Sequence, residues 1–342
     1  MVLPVAVESA EKRASNHRTI VVLGVVVLLL AAGWALYSTI LPTTLVQTTK
    51  GSVCDLFREK HLSTITSFSP ELREHAISIL ENYSNPNIVL ENTSYYIPGG
   101  RALTISFYAT SGATIKTNII ATIYNVLIEI YGPGGSLIYS QLTNNSSYSF
   151  NASATGTYVL RVTNKLLRTG VQVSILLQAI VPVDINDPVF KIMAIGHWVG
   201  VNVKYVSDPN GLEYVASPLE TLRIGAGDCD DFAVLIASLY ESIGLDAVIG
   251  LVDTNGDGAV DHAAALVFVN QDPDNLLKAV QKYDLVFNTR TSRISYFSGL
   301  KNAQTGIWLL IDPLMAGVRD APWDVSHEPY ILECYVDAHL KK

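Results

Sequence analysis

The chain has 342 residues, long enough for two domains, and 31 acidic against 23 basic side chains leave it with a formal net charge of −8. No concentrated basic stripe accompanies that balance, which argues against nucleic acid as a partner and suits a secreted or surface protein. Among three cysteines, a bridge between Cys54 and Cys334 would leave Cys229 as a free thiol.

Ile20 to Leu41 carries no charge and has the length needed to cross a bilayer. Lys12, Arg13 and Arg18 precede this run, and the next charge after it is Lys50. That asymmetry predicts a cytoplasmic tail over 1–18, a signal-anchor transmembrane helix over 19–41 and an extracytoplasmic bulk at the cell membrane. A cleaved signal peptide is the rival, given the small residues of Ala31-Ala32-Gly33-Trp34-Ala35. The apolar run continues past a usual signal core, which favours the uncleaved anchor. Residues 42–85 read as a stalk with one short helix, opened by Ser69-Pro70 and running to about Asn82.

Over 86–183 the character changes to short alternating runs. Ala102–Tyr108 alternates cleanly, and Val126–Tyr131 and Ser136–Gln141 flank the turn Gly132-Pro133-Gly134-Gly135. Tyr148–Asn151, Thr157–Asn164 and Val171–Ile180 add further strands, so an antiparallel β-sandwich is expected. The phrase from Phe150 to Leu160 looks like sandwich domains appended to secreted peptidases or of the GOLD type, which implies a binding or spacer role. Five Asn-x-Ser/Thr sequons, at Asn82, Asn92, Asn144, Asn145 and Asn151, fit external exposure.

Pro182 to Pro188 reads as a linker into a domain over 184–342. Within it, Phe232, Leu235, Ile236, Leu239 and Ile243 follow the helical period, with Asp228 placed to cap the helix and Gly244 to end it. Cys229 then lies in the first turn, where free N–H groups and the helix dipole favour a thiolate, the form that acts as a nucleophile. The plainer alternative is a small buried residue. Downstream, His262 heads the apolar run to Val269, and Asp312-Pro313 ends the run from Trp308. A histidine supplies a base near neutrality, and a carboxylate fixes its tautomer and steadies the imidazolium.

Gly227-Asp228-Cys229-Asp230-Asp231-Phe232-Ala233, a strand beginning at His262 and a strand ending in Asp312-Pro313 together resemble the transglutaminase-like superfamily, whose core shares the papain-like cysteine-protease architecture. Trp198-Val199, Val203-Lys204-Tyr205 and Ser217–Leu222 look like that family's approach to the cysteine, and the resemblance covers about residues 188–320. It implies an α+β catalytic domain with Cys229 as nucleophile, His262 as general base and acid, and Asp312 as the orienter of the histidine. The family often places a tryptophan two residues after the histidine, whereas here Ala263, Ala264 and Ala265 follow. Asp228, Asp230 and Asp231 also crowd the thiol with negative charge, which opposes a thiolate unless they serve as capping groups. The backbone N–H of Cys229 would give one oxyanion donor. Trp198 and Asn202 precede it, but the second donor is left unassigned.

Between the two strands of the His262 hairpin runs Asp253-Thr254-Asn255-Gly256-Asp257-Gly258-Ala259-Val260-Asp261. Oxygens from Asp253, Asn255, Asp257, the carbonyl of Ala259 and Asp261, with glycine sixth, match the first half of an EF-hand-like calcium loop. Ala264 stands where the bidentate glutamate would be, and the plainer reading is a polar hairpin turn. Residues 270–307 form an insertion, either a cleft cover or a surface excursion, with a helix from Asp272-Pro273 to Tyr283 and a strand over Arg293–Phe297. Trp323 and Tyr330-Ile331-Leu332 are expected to pack back on the core. The reading is thus a membrane-anchored cysteine enzyme acting on peptide or protein amides through a thioester, by hydrolysis or amine transfer. It requires no cofactor for the chemistry, and calcium would be structural. The alternative is a catalytically silent surface module for binding or adhesion.

Overall fold

Strict alternation of apolar and polar residues builds the first large body of the chain. The computed structural model describes Asp55, Phe57 and residues 69–84, 86–209, 214–300, 306–315, 321–325 and 330–337. The expected tail and membrane segment, 1–41, lie outside these. Among the described residues no helix is long and apolar enough to cross a membrane.

Helix α1 (Pro70–Tyr83) begins as its sequence requires, with the Ser69 side chain accepting from Leu72 N–H at 3.1 Å and proline in the first turn. Its buried residues, Leu72, Ala76, Ile79 and Leu80, form one stripe. That stripe packs into the same core as the cysteine helix. The helix expected as part of a stalk is therefore a layer of the half that holds Cys229, because an apolar stripe of this width must be covered.

Eight strands follow: β1 (Asn87–Ile97), β2 (Ala102–Ala109), β3 (Thr114–Ala121), β4 (Val126–Tyr131), β5 (Leu137–Thr143), β6 (Asn145–Asn151), β7 (Gly156–Thr163) and β8 (Val171–Ile180). They form two four-stranded antiparallel sheets, ordered β1-β8-β3-β6 and β2-β7-β4-β5. In β8 every second residue from Val171 to Ala179 is buried, and Ile115 and Ile119 of β3 and Ile128 and Ile130 of β4 meet them between the sheets.

The C-terminal half contains α2 (Pro188–Asn202), β9 (Lys204–Tyr205), α3 (Pro218–Ile224), β10 (Ala226–Gly227), α4 (Cys229–Ser242), β11 (Ala247–Asp253), β12 (His262–Val269), α5 (Pro273–Gln281), α6 (Asp284–Phe287), β13 (Tyr296–Phe297), β14 (Ile307–Ile311) and β15 (Ile331–Asp337). Its sheet runs β13-β14-β12-β11-β15, antiparallel throughout. Ala247, Ile249, Ala263, Ala265, Val267, Leu309 and Ile311 face the helices, while Val248, Ala264, Leu266, Trp308 and Leu310 enter a second apolar cluster with Leu300 and Val325. With both faces covered, these strands read as unbroken apolar runs rather than as alternation.

The insertion is anchored in the cores on both of its sides. Leu276, Val280, Tyr283 and Phe287 are buried in the core of the cysteine helix, and Leu285 is buried with the sandwich residues. The guanidinium of Arg290 lies 5.1 Å from the Tyr108 ring centre of β2. Its expected helix spans Pro273–Gln281, and the strand expected over 293–297 is limited to Tyr296–Phe297. Cys334 on β15 is disulfide-bonded and Cys229 is free. Cys54 lies outside the described residues.

Candidate active site

Cys229 is the first residue of α4, behind the cap position Asp228. The approach is fixed by a two-residue parallel ladder that pairs Ala226 with Lys204 and Gly227 with Tyr205. Gly225, at φ 68°, ends α3 and turns the chain into that ladder. Asp231 then locks the start of α4. Its Oδ1 accepts from Ala216 N–H at 2.7 Å and its Oδ2 from Asp228 N–H at 3.2 Å. Asp231 is thus a capping group, spent on backbone donors. Gly244, at φ 84°, follows the far end of the helix.

His262 is the first residue of β12, and Asp312 directly follows β14. Ala265 pairs with Ile311 across these strands. Continuing that register sets Asp312 opposite Ala264, two residues from His262 and on the same side of the pleat. The Nε2 of His262 lies 2.7 Å from the Asp312 Oδ2. The Cys229 side chain lies near enough to favour the protonated form of His262. The structure therefore pairs His262 with Asp312 and sets Cys229 in their neighbourhood.

The electrostatics follow from those contacts. Burial works against the imidazolium of His262, but its hydrogen bond to Asp312 and the nearby Cys229 outweigh it and push its pKa up to about 10. Asp312, 2% exposed, is itself saturated: Oδ1 accepts from the N–H groups of Leu314 and Met315 at 2.9 and 3.3 Å, and Oδ2 from His262 and the Tyr330 hydroxyl. Asp230 behaves differently from Asp231. Burial, then a hydrogen bond with Asp228 and the charges of Asp228, Cys229 and Asp231, push its pKa up to about 10. The upward shift favours its protonated form, which lessens the negative charge crowding the thiol. An oxygen each of Asp228 and Asp230 remains buried without a partner.

Trp198 is partly buried against the core, and the Asn202 side chain donates to the Trp198 carbonyl at 2.8 Å. Neither contact makes an oxyanion donor of these residues.

The Asp253–Asp261 loop is closed on itself. Asp253 accepts from the N–H groups of Asn255, Gly256 and Gly258, at 3.0, 2.6 and 2.7 Å. Asp261 accepts from the Thr254 N–H and hydroxyl and from the Asn255 side chain. Asn255 and Asp257 accept from the N–H groups of Asp257 and Ala259. Burial opposes ionisation of Asp253, but its backbone donors prevail and hold its pKa below the ordinary value. The oxygen-only donor set suits a hard cation in kind. Among the described residues, however, the carboxylates whose oxygens all lie within 4.8 Å of one another are Asp228, Asp230 and Asp231, not those of this loop.

Tyr330, expected only to pack on the core, does so and also places its hydroxyl on Asp312. Its one signal was its place at the head of an apolar strand, which reads as core.

Residues 173–273 match a family described as a transglutaminase-like domain. The resemblance read from the cysteine segment therefore holds over a stretch that includes Cys229 and His262. No curated protein matches the chain. Among solved structures, a periplasmic inhibitor of g-type lysozyme from Aeromonas hydrophila is 15% identical over 27% of this chain and 86% of its own, with a TM-score of 0.24. The pre-peptidase C-terminal domain of a Bacillus anthracis collagenase is 14% identical over 26% of this chain and 89% of its own, TM-score 0.24. A provisionally assigned cysteine protease from Cytophaga hutchinsonii is 16% identical over 48% of this chain and 75% of its own, TM-score 0.19. Scores this low assign neither fold nor function.

Proposed function

We propose that this transglutaminase-like domain is a cysteine enzyme that cleaves or transfers peptide or protein amides through a thioester on Cys229. The observation that carries the reading is the His262–Asp312 pair, with Cys229 near enough to favour the imidazolium proton. The thiolate attacks the amide carbonyl, a C–S bond forms, and the C–N bond breaks as the imidazolium of His262 gives its proton to the departing amine. Water then resolves the thioester with His262 as base, and an amine in its place gives transfer. We favour hydrolysis, since no acceptor site for lysine can be read from the chain.

A silent binding or adhesion module is the second reading, supported by the acidic residues packed around the thiol. Alkylation with iodoacetamide separates the two. Rapid labelling of Cys229 at mildly acidic pH, lost in His262→Ala, supports the enzyme; labelling at the rate of an ordinary thiol leaves the silent module.

The reading extends to place and metal. The apolar run Ile20–Leu41 with its N-terminal basic residues supports a single-pass anchor with this domain outside the cell. Protease added to intact cells should then release the bulk of the chain. Asp253, Asn255, Asp257, the Ala259 carbonyl and Asp261 would hold a calcium ion that stiffens the hairpin leading to His262. A melting temperature indifferent to millimolar calcium would remove that part.

A further inference from the structure

We propose that Tyr330 is a positioning residue of this site, its hydroxyl sharing one oxygen of Asp312 with His262, so that the C-terminal strand completes the machinery. The proposal rests on the enzymatic reading of Cys229, His262 and Asp312 and adds a fourth member to it. The Tyr330 hydroxyl lies 2.8 Å from Asp312 Oδ2, the same oxygen that His262 Nε2 meets at 2.7 Å. With Leu314 and Met315 N–H on the other oxygen, the carboxylate takes four donors and has no freedom to rotate. At 2% exposure, an oxygen deprived of one donor has little water to replace it.

The phenol has to be the donor here, because an ionised carboxylate only accepts. Burial, then the charges of Asp312 and Asp261, raise the Tyr330 pKa, so the hydroxyl keeps its proton. The ring centre is 6.2 Å from that of His262 and the side chain packs against the second apolar cluster. The backbone behind it is fixed: Ile331 pairs with Asp253 at the end of β11, while His262 pairs with Val252 from the other side. One strand thus holds both neighbours in register. Two residues from the two ends of a 69-residue span (262 to 330) converge on a single oxygen, which core packing alone does not require.

The test compares Tyr330→Phe and Tyr330→Leu in the full-length protein by two readouts. One is the iodoacetamide rate at Cys229 at fixed neutral pH. The other is the downfield proton resonance of His262 Nε2–H, assigned by its loss in His262→Ala. The phenylalanine variant keeps the ring, so its melting temperature should stay near that of the parent. Its alkylation should slow roughly tenfold, the scale of one hydrogen bond to a charged group, and its imidazole resonance should move. The leucine variant should be slowed by no less. If Tyr330→Phe keeps the parent's rate and resonance and only Tyr330→Leu is impaired, the ring is mere packing and the proposal is overturned. If Cys229 in the parent reacts only as an ordinary thiol, the enzymatic reading fails. The resonance still decides whether Tyr330 governs the Asp312–His262 contact: movement in Tyr330→Phe supports that role, and an unmoved line ends it.

Discussion

The carboxylate arm of Asp231 occupies the space that a β-carbon on Gly227 would need: such a carbon would lie 2.5 Å from both Cβ and Oδ2 of Asp231. Glycine at 227 is therefore a condition for the cap, not for a turn. Gly227→Ala must drive Asp231 off the N–H groups of Ala216 and Asp228, both of which it satisfies. The expected cost is about 2–4 kcal/mol, from overpacking together with lost buried hydrogen bonds. Urea unfolding measures it, and Cys229 alkylation should slow in parallel, since the same segment carries the thiol. An alanine variant as stable and reactive as its parent would show that this contact does not hold the site.

Asp230 is the acid whose charge the fold suppresses. Its folded pKa of about 10 stands above the unfolded value of 3.8. By linkage, a raised folded pKa contributes stability that is complete below the unfolded value and is lost as pH rises toward the folded one. Asp230→Asn keeps a group that can hydrogen-bond Asp228 and has no proton to lose. It should gain about 1 kcal/mol or more near pH 8, where one pKa unit is worth 1.4 kcal/mol, and should not slow Cys229 alkylation. Destabilisation at that pH would mean the carboxyl is needed as an anion.

His262 titrates in the same direction for another reason. Its folded pKa of about 10 exceeds the ordinary 6.5 because Asp312 and Cys229 hold its proton against the effect of burial. Its contribution is therefore whole below about pH 6.5, fades above it and is gone beyond about pH 10. The stability difference between the parent and His262→Ala isolates this group, since Asp230 is common to both. That difference should be largest near pH 6 and shrink steadily toward pH 10. A difference that is flat, or that grows with pH, would place the imidazole in the site as the neutral form.

The three candidate residues were legible because each sits at the boundary of an element with an unmistakable pattern. Cys229 opens a helix with a clear apolar period, His262 heads an apolar strand, and Asp312 closes another. The sandwich strands were legible by alternation. Partners were not. The stripe on α1 announces burial but not what buries it, and Leu72 and Ile79 find the core of the cysteine helix rather than a stalk's surroundings. Asp230 and Asp231 are identical neighbours in sequence, and only the turn of the helix sends one to backbone donors and the other toward Asp228. Tyr330 depends on β15 lying beside β11, a long-range pairing that no local pattern encodes.

Asp253 joins the loop to the site, because it ends β11 while the loop leads back into His262. Its two oxygens gather three loop N–H groups, and its depressed pKa means that the stabilisation is present above the unfolded value and is lost as pH falls through the folded one. Asp253→Ala releases all three donors at the point where the chain turns toward the imidazole. The sheet itself keeps Val252 paired with His262 and Leu251 with Ala263, so the domain should remain folded. What should suffer is placement, and Cys229 alkylation is expected to slow roughly tenfold or more, the order that misplacement of reacting groups by a fraction of an ångström costs. The calcium proposal makes a second demand on the same variant: a melting shift with millimolar calcium in the parent must vanish in Asp253→Ala. If the variant alkylates at the parent's rate, the loop is decoration on the hairpin, and His262 owes its position to Asp312 and Tyr330 alone.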